Sequence, residues 1–194
     1  PAIPDPEFPR PVFIVSTPRS GSTMLFETLA QAPGVCTIGD ESHGLIEGIQ
    51  ALAPASHGWA SNRLDATDAT PAAVAELRRR FRAELRDRDG RPPAGGAARM
   101  LEKTPKNALR IPLLAAAFPE ARFVYLFREP REALASMLEA WESGRFRTYP
   151  DRPAWPGTPW SLLLTPGWRE LAGRPLAESV AGKWSATTEV LLDD

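Results

Sequence analysis

Pro11-Val12-Phe13-Ile14-Val15-Ser16, followed at once by Thr17-Pro18-Arg19-Ser20-Gly21-Ser22-Thr23, is the stretch on which the fold turns. The first six residues are a short apolar, β-branched run closed by Thr17-Pro18, which reads as a buried parallel strand. Beyond the turn, Met24, Leu25 and Leu29 have helical spacing around Phe26, Thr28 and Ala30, and Pro33-Gly34 ends the segment. Strand, tight loop and helix in that order aim the loop N–H groups and the positive end of the helix dipole at an anion. Against the phosphate-binding pattern G-x-x-x-x-G-K-[ST], Gly21 and Thr23 fit, but Ser16 stands at the first glycine and Ser22 at the lysine. Without that lysine to span β- and γ-phosphates, an ordinary ATP or GTP hydrolase is disfavoured. The loop still suits a phosphate, with Ser20, Ser22 and Thr23 as hydroxyl donors and Arg19 as the cation.

Outward from this unit, strands and helices alternate. Residues 35–38 read as a second short strand, followed by Gly39-Asp40-Glu41-Ser42-His43-Gly44 and an amphipathic stretch to Leu52. Residues 56–70 read as loop, and Pro71 opens a helix through Leu77, Phe81 and Leu85 whose charged face carries Arg78, Arg79 and Arg80 as a solvated surface. Residues 89–96 are turn chemistry. Arg99-Met100-Leu101-Glu102 can form a strand ending at Lys103-Thr104-Pro105, and Asn107 is expected to cap a helix running to Phe118. Residues 121–127 are a second buried strand, leading through Arg128-Glu129-Pro130 into a helix containing Leu134, Met137 and Trp141. A last helix begins near Pro175. This alternation predicts an α/β domain with a P-loop-like parallel sheet flanked by helices, in which ligands bind outside the carboxyl ends of the strands. Residues 144–168, with five prolines, three tryptophans and no periodicity, predict a long irregular loop over that edge near Glu41. Trp155, Trp160 and Trp168 are expected either to cover a ligand bound there or to pack over the helices.

Composition narrows the function. The 194 residues are 43% hydrophobic and 24% charged, which suits one domain spanning 1–194. With 23 Lys and Arg against 24 Asp and Glu, no cationic excess exists to bind a nucleic acid electrostatically. The 21 prolines and 14 glycines stay below the roughly 25–30% at which composition argues disorder. A single cysteine and two histidines leave little for disulfides or metal, and no segment reaches 18 apolar residues, so an intracellular, cytoplasmic, metal-free protein away from membranes is expected. The first residue is Pro, as in a processed chain or a piece of a longer polypeptide.

Two further polar clusters fall at strand ends. Arg128 closes the strand at 121–127, and Ser136 lies about two turns into the next helix on a face that can approach it. Together they could hold a second phosphate; the alternative is a salt bridge from Arg128 to Glu129 or Glu132, with Ser136 as packing. Lys103 follows the strand at 99–102, in a chain whose only other lysines are Lys106 and Lys183.

The spaced set of strand-TPRSGST-helix, KTPKN and RFVYLFREPREALAS resembles the sulfotransferases that use 3′-phosphoadenosine 5′-phosphosulfate (PAPS), in the branch of tyrosylprotein and bacterial natural-product sulfotransferases. The resemblance covers most of residues 11–142. It implies that Arg19, Ser20, Gly21, Ser22 and Thr23 hold the 5′-phosphosulfate and that Arg128 and Ser136 hold the ribose 3′-phosphate, Glu129 replacing the family's commoner Asp. It also places Lys103 beside the transferred sulfonate and implies no need for a metal. Glu41 matches the glutamate that the tyrosylprotein branch uses as base, while histidine serves in other branches. If residues 39–43 are extended, Glu41 and His43 share a side and can act together; if helical, they diverge, with Asp40 expected to be an N-cap. The resemblance implies transfer of a sulfonate to a hydroxyl-bearing acceptor, small molecule or carrier-bound, leaving adenosine 3′,5′-bisphosphate. Family members continue beyond Trp184 into another strand, so a C-terminal segment is expected to be missing from residues 1–194. A divergent P-loop nucleotide kinase and a non-catalytic nucleotide- or protein-binding domain are the alternatives.

Overall fold

β1 (Val12–Val15) is an interior strand of the sheet, pairing in parallel on both sides. The computed structural model describes residues 5–93, 98–149 and 159–194. The chain then runs through α1 (Ser22–Ala30), β2 (Val35–Thr37), α2 (His43–Glu47), α3 (Pro71–Glu84), β3 (Arg86–Asp87), β4 (Arg99–Lys103), α4 (Ile111–Ala117), β5 (Arg122–Tyr125), α5 (Pro130–Glu142) and α6 (Leu176–Asp193). The sheet order is β3-β2-β4-β1-β5, with β3 alone antiparallel. Register sets Ile14 beside Lys103 and Val124, so the loops after β1, β4 and β5 leave the sheet at one level. The loop after β2 leaves at the same edge.

The sheet is covered by an aromatic cluster in which the Phe118 ring lies 5.1 Å from Phe8, 5.5 Å from Phe13 and 5.7 Å from Phe81. All four rings are buried, along with Leu77, Leu113 and Leu114 from α3 and α4. Each such ring contributes about 1.5–3 kcal/mol by leaving water. Arg78 belongs to this layer and not to a solvated face: it pairs with Asp5 and Glu7 and stacks on Phe8 and Phe118. A second cluster joins α5 and α6 through Met137, Trp141, Trp160, Trp168 and Val180. Lys183 is wholly buried there, its Nζ 4.1 Å from the Trp141 ring centre and donating to the Ser161 carbonyl.

Several boundaries differ from the sequence reading. Residues 105–109 form a 3-10 turn, so α4 starts at Ile111 with Arg110 as its cap residue, and Asn107 is freed for other bonds. Ser42, not Asp40, stands at the N-cap of α2; the Asp40 carboxylate accepts from the Glu41 N–H at 2.7 Å instead. β5 is an edge strand with Val124 and Tyr125 partly exposed, not a buried one. Its β-branched and aromatic residues signal a strand without telling which neighbours it has. Trp160 and Trp168 pack between helices and do not cover the carboxyl edge, whereas Trp155 lies outside the described residues.

Candidate active site

The loop after β1 is shaped by two left-handed residues, Arg19 at φ 67° and Gly21 at φ 88°. Gly21 suffers no Cβ strain there, which lets α1 begin abruptly. No side chain caps α1, so its first N–H groups stay available to an anion. Ser20 turns inward: its hydroxyl donates to the Thr17 carbonyl at 2.8 Å and pairs with the Thr17 hydroxyl, which braces the loop. Gly21, Ser22 and Thr23 face a cavity of about 670 Å³, a volume suited to a small organic ligand.

Arg19 links this loop to the region after β5. Its Nε donates to Ser136 Oγ at 3.1 Å, its carbonyl accepts from Arg128 Nη1 at 2.8 Å, and its guanidinium lies 5.2 Å from the Phe146 ring centre. The residues expected to hold the two phosphate groups are therefore joined through Arg19. Arg128 also bonds Glu132 through Nε at 3.2 Å, on the exposed face of α5, while Glu129 caps that helix by accepting from the Glu132 N–H. Arg128 and Ser136 sit behind Arg19 and are not part of the cavity wall.

Opposite the loop, Glu41 and His43 line the same cavity. α2 starts at His43, so neither the extended nor the helical alternative holds alone; Glu41 sits just outside the first turn and the two side chains still meet. His43 Nδ1 lies 3.5 Å from Glu41 Oε2, and Lys103 Nζ donates to Glu41 Oε1 at 3.0 Å. Burial raises the Glu41 pKa, but the hydrogen bonds from His43 and Lys103 outweigh it and hold the carboxyl below its ordinary value. Lys103 is only 8% exposed and reaches the cavity through Glu41.

The residues flanking 150–158 close another side. Phe146, Arg147, Thr148, Leu162 and Leu163 line the cavity, held together by the Thr148 N–H to Trp160 carbonyl bond at 2.8 Å and the Leu162 N–H to Phe146 carbonyl bond at 3.0 Å. Tyr149 continues this wall into a buried ionic cluster. Glu47 accepts from Arg110 at 2.7 Å, from Lys106 at 2.9 Å and from the Tyr149 hydroxyl at 2.9 Å. Burial raises the Glu47 pKa, and Arg110 and Lys106 more than reverse it. Burial lowers the Lys106 pKa despite Glu47 and raises that of Tyr149. Lys106 is on the cavity wall and was not anticipated from sequence, although the scarcity of lysine that marks Lys103 marks Lys106 equally.

Residues 11–157 match the model of the sulfotransferase family. The chain belongs to that family. The sulfotransferase match takes in the loop at 19–23, Glu41, His43, Lys103, Arg128 and Ser136, and ends before α6. No curated protein sequence matches the chain. Among solved structures, the sulfotransferase STF9 of Mycobacterium avium is similar at 15% identity with a TM-score of 0.51, covering 97% of this chain and 56% of its own. The sulfotransferase STF1 of Mycobacterium tuberculosis H37Rv is similar at 16% identity with a TM-score of 0.49, covering 97% of this chain and 59% of its own. At this identity the likeness to STF9 is one of fold, and it agrees with the α/β architecture of a largely parallel sheet flanked by helices. The chain spans less than two thirds of the length of either solved relative. Among the described residues, no helix is long and apolar enough to cross a membrane.

Proposed function

We propose that this chain transfers a sulfonate from PAPS to the hydroxyl of an organic acceptor, small or carrier-bound, by in-line displacement. One observation carries the reading: an uncapped helix start with Arg19, joined to Arg128 and Ser136, faces the Glu41–His43–Lys103 group across one cavity. The donor fits these residues. Arg19, the N–H groups of Ser20 and Gly21, and the N–H and hydroxyl groups of Ser22 and Thr23 would hold the 5′-phosphosulfate; Arg128 and Ser136 would hold the 3′-phosphate. Bound PAPS supplies a sulfonate on a good phosphate leaving group, with no γ-phosphate for a P-loop lysine to meet.

In the reaction, the acceptor oxygen bonds to sulfur as the bond from sulfur to the 5′-phosphate oxygen breaks. Glu41, kept ionised by its two partners, takes the acceptor proton. His43, beside the second carboxylate oxygen, orients it and stands as the alternative base. As Glu41 is neutralised, the charge of Lys103 loses its counter-ion at the moment negative charge grows on the departing phosphate, so Lys103 and Arg19 favour the transition state over the ground state. Thermal shift tests the reading: adenosine 3′,5′-bisphosphate should stabilise the protein more than AMP or magnesium ATP does. A larger shift with magnesium ATP would favour the kinase alternative.

A further inference from the structure

Behind the cavity lies a closed ring of buried polar groups. Thr104 Oγ1 donates to Glu102 Oε1, and Asn107 Nδ2 donates to Glu102 Oε2 at 2.9 Å and to Ser42 Oγ at 3.1 Å. Ser42 Oγ meets Thr104 Oγ1 at 3.1 Å, and the Ser42 N–H donates to the same oxygen at 2.7 Å. Glu102, Thr104, Asn107 and Ser42 are all 0% exposed. With Thr104 giving its proton to Glu102, the Ser42 hydroxyl is left to donate to Thr104 or to Glu102 itself. Asn107, Ser42 and Thr104 thus converge on the Glu102 carboxyl, while Asn107 Oδ1 is buried with no hydrogen-bond partner of its own.

Each ring member adjoins a site residue in the sequence. Ser42 separates Glu41 from His43, Glu102 and Thr104 flank Lys103, and Asn107 follows Lys106. The ring ties the loop after β2 to the end of β4 at the level where Glu41 meets Lys103. Glu102 has no cation within salt-bridge distance among the described residues, and burial without a counter-ion raises its pKa above the ordinary carboxyl value despite the hydrogen bonds it receives. Its hydrogen bonds do not offset the cost of burial, whereas they do fix geometry.

We propose that Glu102 is a positioning residue which, through the ring with Thr104, Ser42 and Asn107, holds Glu41 against Lys103 and His43 at the cavity. The inference rests on the reading of Glu41 as the base, and its geometric part can be measured without turnover. Glu102→Gln keeps the shape but leaves one acceptor, so its amide N–H₂ is set either against that of Asn107 or against the Thr104 hydroxyl, which then loses its acceptor. Thr104→Val removes the donor to Glu102 with no change of charge.

The full chain and both variants are compared by carbon-13 titration of the Glu41 carboxyl, assigned by its loss in Glu41→Gln. They are also compared by conversion of PAPS to adenosine 3′,5′-bisphosphate with water as acceptor, and by calorimetric titration of adenosine 3′,5′-bisphosphate. In both variants Glu41 should titrate at higher pH than in the unsubstituted chain, with turnover about 10–100-fold lower and bisphosphate affinity within about twofold. Any negative charge on Glu102 repels that of Glu41, so its removal would by Coulomb repulsion alone lower the Glu41 pKa, and an upward shift reports lost partners. In a Glu41→Gln background, Glu102→Gln should cost little more turnover. A Glu41 titration that stays or falls, unchanged turnover, or two variants that fail to fold would each overturn the proposal. No conversion of PAPS by the unsubstituted chain, with Glu41 still shifting upward in the variants, would overturn the sulfonate-transfer reading and leave the positioning role standing.

Discussion

Replacing Glu47 by alanine should cost about 3–5 kcal/mol of stability, the usual consequence of stripping one partner from a buried ion pair. Glu47 is 16% exposed and answers two cations, Arg110 at 0% and Lys106 at 11% exposure, as well as the Tyr149 hydroxyl. Without it, Arg110 loses its Nη2 partner when its Nη1 already has none, and two like charges remain side by side. Lys106 offers partial relief because burial already lowers its pKa, so it can shed its proton; Arg110 cannot. For a chain of this size, about 2–4 °C per kcal/mol converts the loss to a fall in Tm of about 6–20 °C. Thermal unfolding followed by circular dichroism measures it, with Glu47→Ala/Lys106→Met expected to recover part of the loss. A Glu47→Ala protein melting within about 2 °C of the parent would refute the reasoning, since the cluster would then be solvated in practice. The sign of the pH dependence follows from the lowered Glu47 pKa: its contribution is present above the unfolded carboxyl pKa and is lost as pH falls through the folded one. Acid unfolding of the parent should accordingly approach the behaviour of the variant at low pH.

Three other outcomes are expected. Glu41→Gln should lower turnover by about 10²–10⁴-fold with little change in bisphosphate affinity; retained activity there, with loss in His43→Ala, would move the base to His43. Arg128→Ala should weaken adenosine 3′,5′-bisphosphate while leaving AMP nearly unchanged in calorimetric titration, and a parallel loss for both would make Arg128 a brace for the Arg19 carbonyl. Phe118→Ala should cost about 3–5 kcal/mol in urea unfolding, because three rings contact its side chain and the cavity left cannot refill.

The β1–loop–α1 unit was legible because a β-branched run, a Gly-containing turn and a helical period are each local signals, and they agree. The alternation of elements was legible for the same reason. Sheet order was not: the exposure of β5 depends on which strand lies beside it, and residues 121–127 carry no mark of an edge. The start of α4 was misplaced because Asn107 has a capping side chain, yet Glu102 and Ser42, one of them distant in sequence, compete for it more effectively. Glu41 and His43 were found by local pattern, but their contact depends on a helix boundary falling between them. Lysine scarcity was the most transferable signal. Lys103, Lys106 and Lys183 are all buried, and each meets a carboxylate or a backbone carbonyl. The Glu47 cluster and the Glu102 ring left little trace, since their members are scattered polar residues whose partners only folding brings together.

The central claim is that two anion subsites joined through Arg19 and a base across one cavity perform sulfonate transfer. Incubation of the full chain with sulfur-35-labelled PAPS and a panel of phenolic, sugar and aliphatic hydroxyl acceptors tests it most directly. The label should pass to a hydroxyl with equimolar release of adenosine 3′,5′-bisphosphate, and should do so in the presence of a metal chelator. Transfer of phosphate from magnesium ATP to the same acceptors, with the PAPS label left on its nucleotide, would contradict the account.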